Sequence, residues 1–321
     1  MALDLFKKVE TQKGLFAVEK ISLIYNLLTS ILILFMFSQM SHPMQMLWDR
    51  IVIAVLTFCL MYLYRLAPCK FSAFVRIAVQ MGLLSYWYPD TYELNRLFTN
   101  LDHIFASAEQ FIFSCQPAVE FSKRLPYEWV SEPFNLGYFS YYPMILVVAL
   151  YYFFHRYELF EKWSFVIVTS FFIYYFIYIF LPVAGPQFYF PAIGMENVSH
   201  GIFPAIGNYF NFHHELLPGP DYAHGFFYSL VDGSQQVGER PTAAFPSSHV
   251  GMSTILMISA FRENKKLASF LLPFYILLCC ATVYIQAHYL IDAIAGFVSA
   301  IFIYILTSKI YKKWFAEPLF R

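Results

Sequence analysis

Three ionisable residues stand where an apolar chain keeps charge only for use: His249, after Phe245-Pro246-Ser247-Ser248, and the pair His288 and Asp292 in His288-Tyr289-Leu290-Ile291-Asp292. An imidazole whose one nitrogen is held by a neighbour presents the lone pair of the other as a nucleophile. A second imidazole opposite it can give a proton to a leaving oxygen. A phosphoester is the natural electrophile for such a pair. Asp292, four residues after His288, is expected one helical turn further along, on one ring nitrogen of His288. Pro246 suits the first turn of a helix, and the backbone amides around Ser247 and Ser248 are expected to hold phosphate oxygens.

The elements that must position these groups are read from composition. The chain of 321 residues is 59% hydrophobic and 21% aromatic but only 13% charged, with mean hydropathy +0.53. Soluble domains run at roughly 45–50% apolar and 25% charged, so a water-soluble globule is excluded, as are disorder and collagen-like structure. Apolar stretches at 21–40, 51–67, 73–88, 137–154, 164–182, 246–261, 267–287 and 289–308 give about eight candidate spans. The 73–88 stretch is interrupted by Arg76 and Gln80, so an interfacial helix is its alternative and seven or six spans the alternative to eight. His249 and His288 lie 39 positions apart, about one helix down and one back, which returns both imidazoles to the same membrane face.

Charge sorts the loops. With the N-terminus cytoplasmic, sixteen of the 21 basic residues fall inside and Arg50, Arg96, Lys123, Arg124 and Arg240 outside, following the positive-inside rule with both termini cytoplasmic. The loops 89–136 and 183–245 then lie on the extracytoplasmic face. Residues Leu101 to Leu125 carry apolar side chains at helical spacing, consistent with a helix on the outer membrane surface. There Asp102, Glu109 and Glu120 read as a solvated polar face, with a headgroup pocket the alternative. The second loop repeats Phe190-Pro191-Ala192-Ile193-Gly194 as Phe203-Pro204-Ala205-Ile206-Gly207, and such Pro/Gly turns point to a structured lid.

The 21 basic and 21 acidic residues cancel, so no bulk field favours nucleic acid. The five cysteines have no metal or disulfide spacing. His213-His214-Glu215 and His224 lack the helical spacing of a metal pair and are read as lid surface. No metal or cofactor is expected. Residues Met1 to Lys20 show no cleavage site, so the first apolar run reads as a retained span.

The run Phe245-Pro246-Ser247-Ser248-His249, followed by His288-x-x-x-Asp292, resembles the second and third motifs of the type 2 phosphatidic acid phosphatase superfamily, P-S-G-H and S-R-x5-H-x3-D. The resemblance covers roughly residues 137–308. It implies a helical bundle with its active site at the outer membrane face and transfer through a phosphohistidine, with His288 the nucleophile, Asp292 its orienting partner and His249 the acid. The chain departs from the family where Ala281-Thr282 replaces Ser-Arg and where the first motif, K-x6-R-P, is absent: Arg240-Pro241 supplies an R-P, but Gly233 stands where the lysine would be. In its place the fifth apolar stretch ends in Leu181-Pro182-Val183-Ala184-Gly185-Pro186-Gln187-Phe188-Tyr189. That exit, with a His-His-Asp set lacking the arginines, looks like the inositol phosphorylceramide synthase branch and is reminiscent of sphingomyelin synthases.

Losing two cationic contacts favours a singly charged phosphodiester over a dianionic monoester. The expected substrate is thus a membrane lipid phosphoester held by Arg240, Ser247, Ser248, Gln187 and Tyr189, with a lipid hydroxyl of ceramide or diacylglycerol type as acceptor. Water as acceptor, making a lipid phosphate or diphosphate phosphatase, is the alternative. A transporter or scaffold is disfavoured because the ionisable groups gather at one interface. The expected architecture is an all-α polytopic transmembrane bundle of about eight spans. It divides into 1–136 (N-terminal spans and outer amphipathic helix), 137–308 (a six-helix phosphatase-like catalytic core) and 309–321 (a cytoplasmic tail), with a structured outer loop over the site.

Overall fold

The computed structural model describes residues 5–9, 14–220 and 222–315, and every regular element among them is helical. The protein is an all-α polytopic helical bundle. Its helices are α1 (Ala17–Phe35), α2 (Pro43–Leu66), α3 (Lys70–Gly82), α4 (Leu84–Asn95), α5 (Asp102–Phe113), α6 (Pro117–Arg124), α7 (Glu128–Phe139), α8 (Tyr141–His155), α9 (Tyr157–Phe180), α10 (Pro186–Ile193), α11 (Met195–Ser199), α12 (Phe226–Gly238), α13 (Ser248–Glu263), α14 (Lys265–Tyr284) and α15 (Leu290–Trp314). Much of residues 1–13, where the retained N-terminus is expected, lies outside the described residues, as do 316–321 of the expected tail; its first residues continue α15.

Among the described residues five helices, α1, α2, α9, α14 and α15, are long and apolar enough to cross a membrane, or six if α7 and α8 form one broken span bent by 43°. The difference from eight has local causes. At 73–88 the apolar run splits at Leu83 into α3 and α4, and at 246–261 the helix has 16 residues, about 24 Å against a hydrocarbon core of about 30 Å. The stretch at 137–154 is two helices meeting at Ser140, where Gly137 and Pro143 flank the bend.

The chain divides into two compact units, 1–90 with 149–173 and 304–321, and 91–148 with 174–303. Within the first, the charges that interrupt the apolar runs are matched. Arg76 ion-pairs with Glu19, both side chains buried, and its guanidinium lies 3.8 Å from the centre of the Phe16 ring. Arg50 makes a two-pronged pair with Asp90 at 3.0 and 2.7 Å, also buried. A guanidinium in hydrocarbon needs such a partner, so Arg50 and Arg76 report packing, one taken from each side of the positive-inside count.

In the second unit α14 packs on α6, α7 and α13, and α12 packs on α7. The α7–α14 contact depends on Gly137: a Cβ there would come within 2.6 Å of the Leu277 carbonyl carbon and 2.7 Å of the Leu278 nitrogen. Alanine gains about 0.8–1.0 kcal/mol in helix propensity, but backbone atoms cannot rotate aside. Gly137→Ala is therefore expected to cost about 1–3 kcal/mol net, seen as a lower thermal midpoint of the detergent-solubilised protein; a midpoint at or above wild type would refute close α7–α14 packing.

Helix α5 is amphipathic in the inverted sense. Ile104, Phe111 and Ile112 are exposed, while Asp102 and Glu109 are fully buried. The expected solvated acidic face is thus corrected: the acidic side turns into the protein and the apolar side outward, the arrangement of a helix against lipid. Only Glu120, paired with Arg124 at 3.6 Å, fits the surface reading. The lid is structured as its turns imply. Phe190, Ile193, Val198 and Phe210 form one core with Tyr289, and Phe203 and Ile206 of the second pentapeptide pack against it.

Candidate active site

His288 lies in the short connection between α14 and α15. Gln286 there takes the left-handed φ of 62°, and the His288 amide closes the turn on the Thr282 carbonyl at 2.9 Å. The residue is buried, 4% exposed. Nδ1 lies 2.9 Å from the Ala244 carbonyl oxygen, which can only accept, so Nδ1 carries the proton and the lone pair is on Nε2. Burial lowers the pKa of this imidazole to about 4, leaving it neutral at neutral pH.

His249, in the first turn of α13, places Nδ1 3.4 Å from Nε2 of His288. Its ring is held between Tyr138, stacked at 4.7 Å, and Tyr141 at 4.5 Å. The two histidines therefore meet as the 39-residue spacing predicts.

Asp292 is placed differently. Its Oδ2 accepts from the Tyr289 amide at 2.9 Å and is 3.7 Å from Nδ1 of His288, beyond hydrogen-bond distance. The predicted carboxylate–imidazole bond is thus replaced by the Ala244 carbonyl, because His288 precedes α15 and helical i, i+4 geometry does not apply to it. Asp292 caps the start of α15 and stands beside the neutral ring without bonding to it.

Ser247 is buried as the N-cap of α13: its Oγ accepts from the Val250 amide at 3.4 Å, and its own amide donates to the Asp292 carbonyl at 3.0 Å. Both polar groups serve the junction of α13 with α15. Gly296 makes that junction possible, since a Cβ there would strike the Ser247 carbonyl. Ser248 is the first residue of α13, and its carbonyl is 3.5 Å from the Tyr141 hydroxyl. Arg240 donates from Nη1 to the Glu239 carbonyl at 2.8 Å, and no bond joins it to either histidine. Tyr189 turns its hydroxyl to the Pro204 carbonyl at 2.7 Å, inside the lid.

Gln187 borders a cavity of about 110 Å3 whose wall includes Gln286, two residues before His288. Its Oε1 accepts from Gln235 at 3.0 Å, and Gln286 donates to Ser122 at 3.2 Å. The remaining polar lining is hydroxyls, Asn135 and a single carboxylate, Asp232, with no lysine or arginine. Neither histidine lines the cavity; Val231 of its wall sits in one apolar cluster with Ala287 and with Tyr138, the ring stacked on His249.

Several supporting residues carry no motif. Asp102 accepts from the Ala184 and Gly185 amides at 2.7 and 2.8 Å and from the Tyr289 hydroxyl at 3.0 Å, tying the exit of α9 to the histidine-bearing turn. Glycine is required at 185, where φ is 90° and a Cβ would lie 2.6 Å from the Ala287 carbonyl. Glu239 faces Tyr138 at 3.4 Å. In the lid, His214 bonds to the Tyr92 hydroxyl at 2.7 Å and His213 stacks on Tyr209. No cluster of three or more His, Cys, Asp or Glu suited to a metal occurs among the described residues.

A family model described as PAP2 superfamily matches residues 102–306, more than half of the chain. The match begins at Asp102 and so takes in α5 with its two buried carboxylates. No curated protein and no solved structure matches the chain.

Proposed function

The chain belongs to the PAP2 superfamily, and we propose that within that family of lipid phosphatases and phosphotransferases it transfers a phospho-headgroup from one membrane lipid to the hydroxyl of another. The observation that carries this reading is the fixed tautomer of His288. With Nδ1 donating to the Ala244 carbonyl, Nε2 holds the lone pair and lies 3.4 Å from Nδ1 of His249. Nε2 attacks the phosphorus of a lipid phosphodiester, the P–N bond forms and the P–O bond to the leaving glycerol-type alkoxide breaks. His249, entering the step as an imidazolium beside the bound phosphate anion, gives that oxygen a proton and is left neutral. The ring of His288 becomes cationic while phosphorylated, and the nearby Asp292 carboxylate offsets that charge. An acceptor hydroxyl of ceramide or diacylglycerol type then returns its proton to His249 and attacks phosphorus, freeing His288.

Two features favour transfer over hydrolysis of a monoester. The family arginines are absent, and the cavity beside the histidine turn offers amides, hydroxyls and one carboxylate, Asp232, with no cation. Such a lining suits hydroxyl groups of a diester headgroup, where a dianion would call for fixed cations. In this reading Gln187 lines the headgroup pocket, Arg240 and the Ser248 end of α13 serve the single phosphate charge, and Ser247 and Tyr189 act through the framework they hold. The site opens to the extracytoplasmic leaflet, with both termini cytoplasmic.

The test is incubation of detergent-purified protein with a headgroup-labelled phospholipid, with and without ceramide or diacylglycerol. Label entering a new lipid only when acceptor is present is the expected result. Release of water-soluble phosphate from a monoester or diphosphate lipid without acceptor would make the protein a phosphatase and overturn the argument from the missing arginines.

A further inference from the structure

Helix α15 starts beneath two carboxylates from different parts of the chain. Asp292, inside the helix, accepts from the Tyr289 amide at 2.9 Å. Glu109, from α5, accepts through Oε1 from the next two amides, Leu290 at 2.5 Å and Ile291 at 3.4 Å. Acceptors bound to three consecutive amides of one turn are neighbours. Each also keeps one oxygen, Oε2 of Glu109 and Oδ1 of Asp292, buried without a hydrogen-bond partner, and both residues are fully buried. Two adjacent carboxylates in that state leave two unmatched acceptors and a like-charge repulsion. One proton between them removes both costs.

We propose that Glu109 is a positioning residue that shares one proton with Asp292, so that the pair carries a single negative charge, held on the Asp292 oxygen facing His288. This rests on the reading of His288 as the nucleophile. The other ionisable groups around the pair are accounted for. Asp102 on α5 accepts from the Ala184, Gly185, Asn100 and Tyr289 donors. Tyr289 is occupied by that bond, His288 by Ala244, His249 on α13 faces His288, and Tyr178 on α9 donates from its hydroxyl to the Pro246 carbonyl at 2.8 Å. Burial and then the adjacent Asp292 raise the Glu109 pKa to about 8, which places the shared proton on the pair at neutral pH. A doubly charged pair would hold the ring of His288 too strongly and cost more to bury. A neutral pair would leave the phosphorylated imidazole without its counter-charge.

The test compares Glu109→Gln with Glu109→Ala. Glutamine keeps an oxygen for the Leu290 amide and supplies an N–H to Asp292 in place of the proton. Its kcat should stay within about threefold of wild type, whereas alanine frees the start of α15 and should lose about 10²-fold. Wild-type kcat should fall as pH rises through about 8 and the pair loses its proton, and the Glu109→Gln profile should lack that fall. Infrared spectra at pH 7 should show a protonated buried carboxyl in wild type that is missing in Glu109→Gln. The infrared band reads the pair whether or not His288 is the nucleophile, and it uses a fold-neutral variant should Glu109→Ala fail to fold. Glutamine as damaging as alanine in a folded protein, or a wild-type spectrum without the band, overturns the proposal.

Discussion

His288→Asn should lower turnover by about 10⁴-fold or more while the protein remains folded. Asparagine is the sharper choice than alanine because its amide can still donate to the Ala244 carbonyl, the bond that anchors the ring at 2.9 Å. Alanine would leave that carbonyl unmatched in a buried turn, at a cost of about 1–3 kcal/mol. His249 cannot replace the lost nucleophile, because its Nδ1 faces His288 and its ring is held between Tyr138 and Tyr141. The direct measurement is a rapid quench of wild-type enzyme with phosphorus-labelled donor lipid. Label should remain on the protein in alkaline denaturant and leave in acid, as a P–N bond does, and should be missing from His288→Asn. A variant that turns over at the wild-type rate would end the phosphohistidine reading.

What the sequence could tell in advance follows from how local each interaction is. The meeting of His249 with His288 was legible because two helix lengths and a turn fix the return of the chain whatever the intervening side chains are. The placement of Asp292 was not, since the i, i+4 rule presumes that both residues are helical and α15 begins only at Leu290. Ser247 shows the same limit: a serine at a helix start is a phosphate donor or an N-cap, and only the fold reveals that the cap and Asp292 already engage it. Asp102 and Glu109 were hardest, because their partners are backbone amides of segments about 80 and 180 positions away, and amides leave no mark on sequence. Their helix offered one clue, an apolar face alternating with acids, but hydropathy does not say which face looks outward once lipid replaces water. Arg76 looked like a break in a span for a related reason: its charge was visible and its partner, Glu19, lay 57 positions away.

His249→Gln separates the acid from the nucleophile, and the size of its effect should depend on the leaving group. A glycerol-type alkoxide is a poor leaving group and needs a proton as the P–O bond breaks, so the loss on a lipid donor should be about 10²–10⁴-fold. An aryl phosphodiester whose leaving group departs as a stable anion needs no proton, and there the variant should stay within about tenfold of wild type. Glutamine fills much of the space between Tyr138 and Tyr141, which limits collapse of the site. Equal losses on both substrates would assign His249 to binding or packing, and no loss on the lipid would remove it from the chemical step. The acceptor half of the reaction adds a second constraint. The group that protonates the departing oxygen must, by microscopic reversibility, deprotonate the incoming hydroxyl, so an aryl donor should load His288 in the variant but discharge slowly to lipid. Phosphoenzyme should then accumulate in His249→Gln with an aryl donor, a state that neither a binding role nor a packing role for His249 would produce.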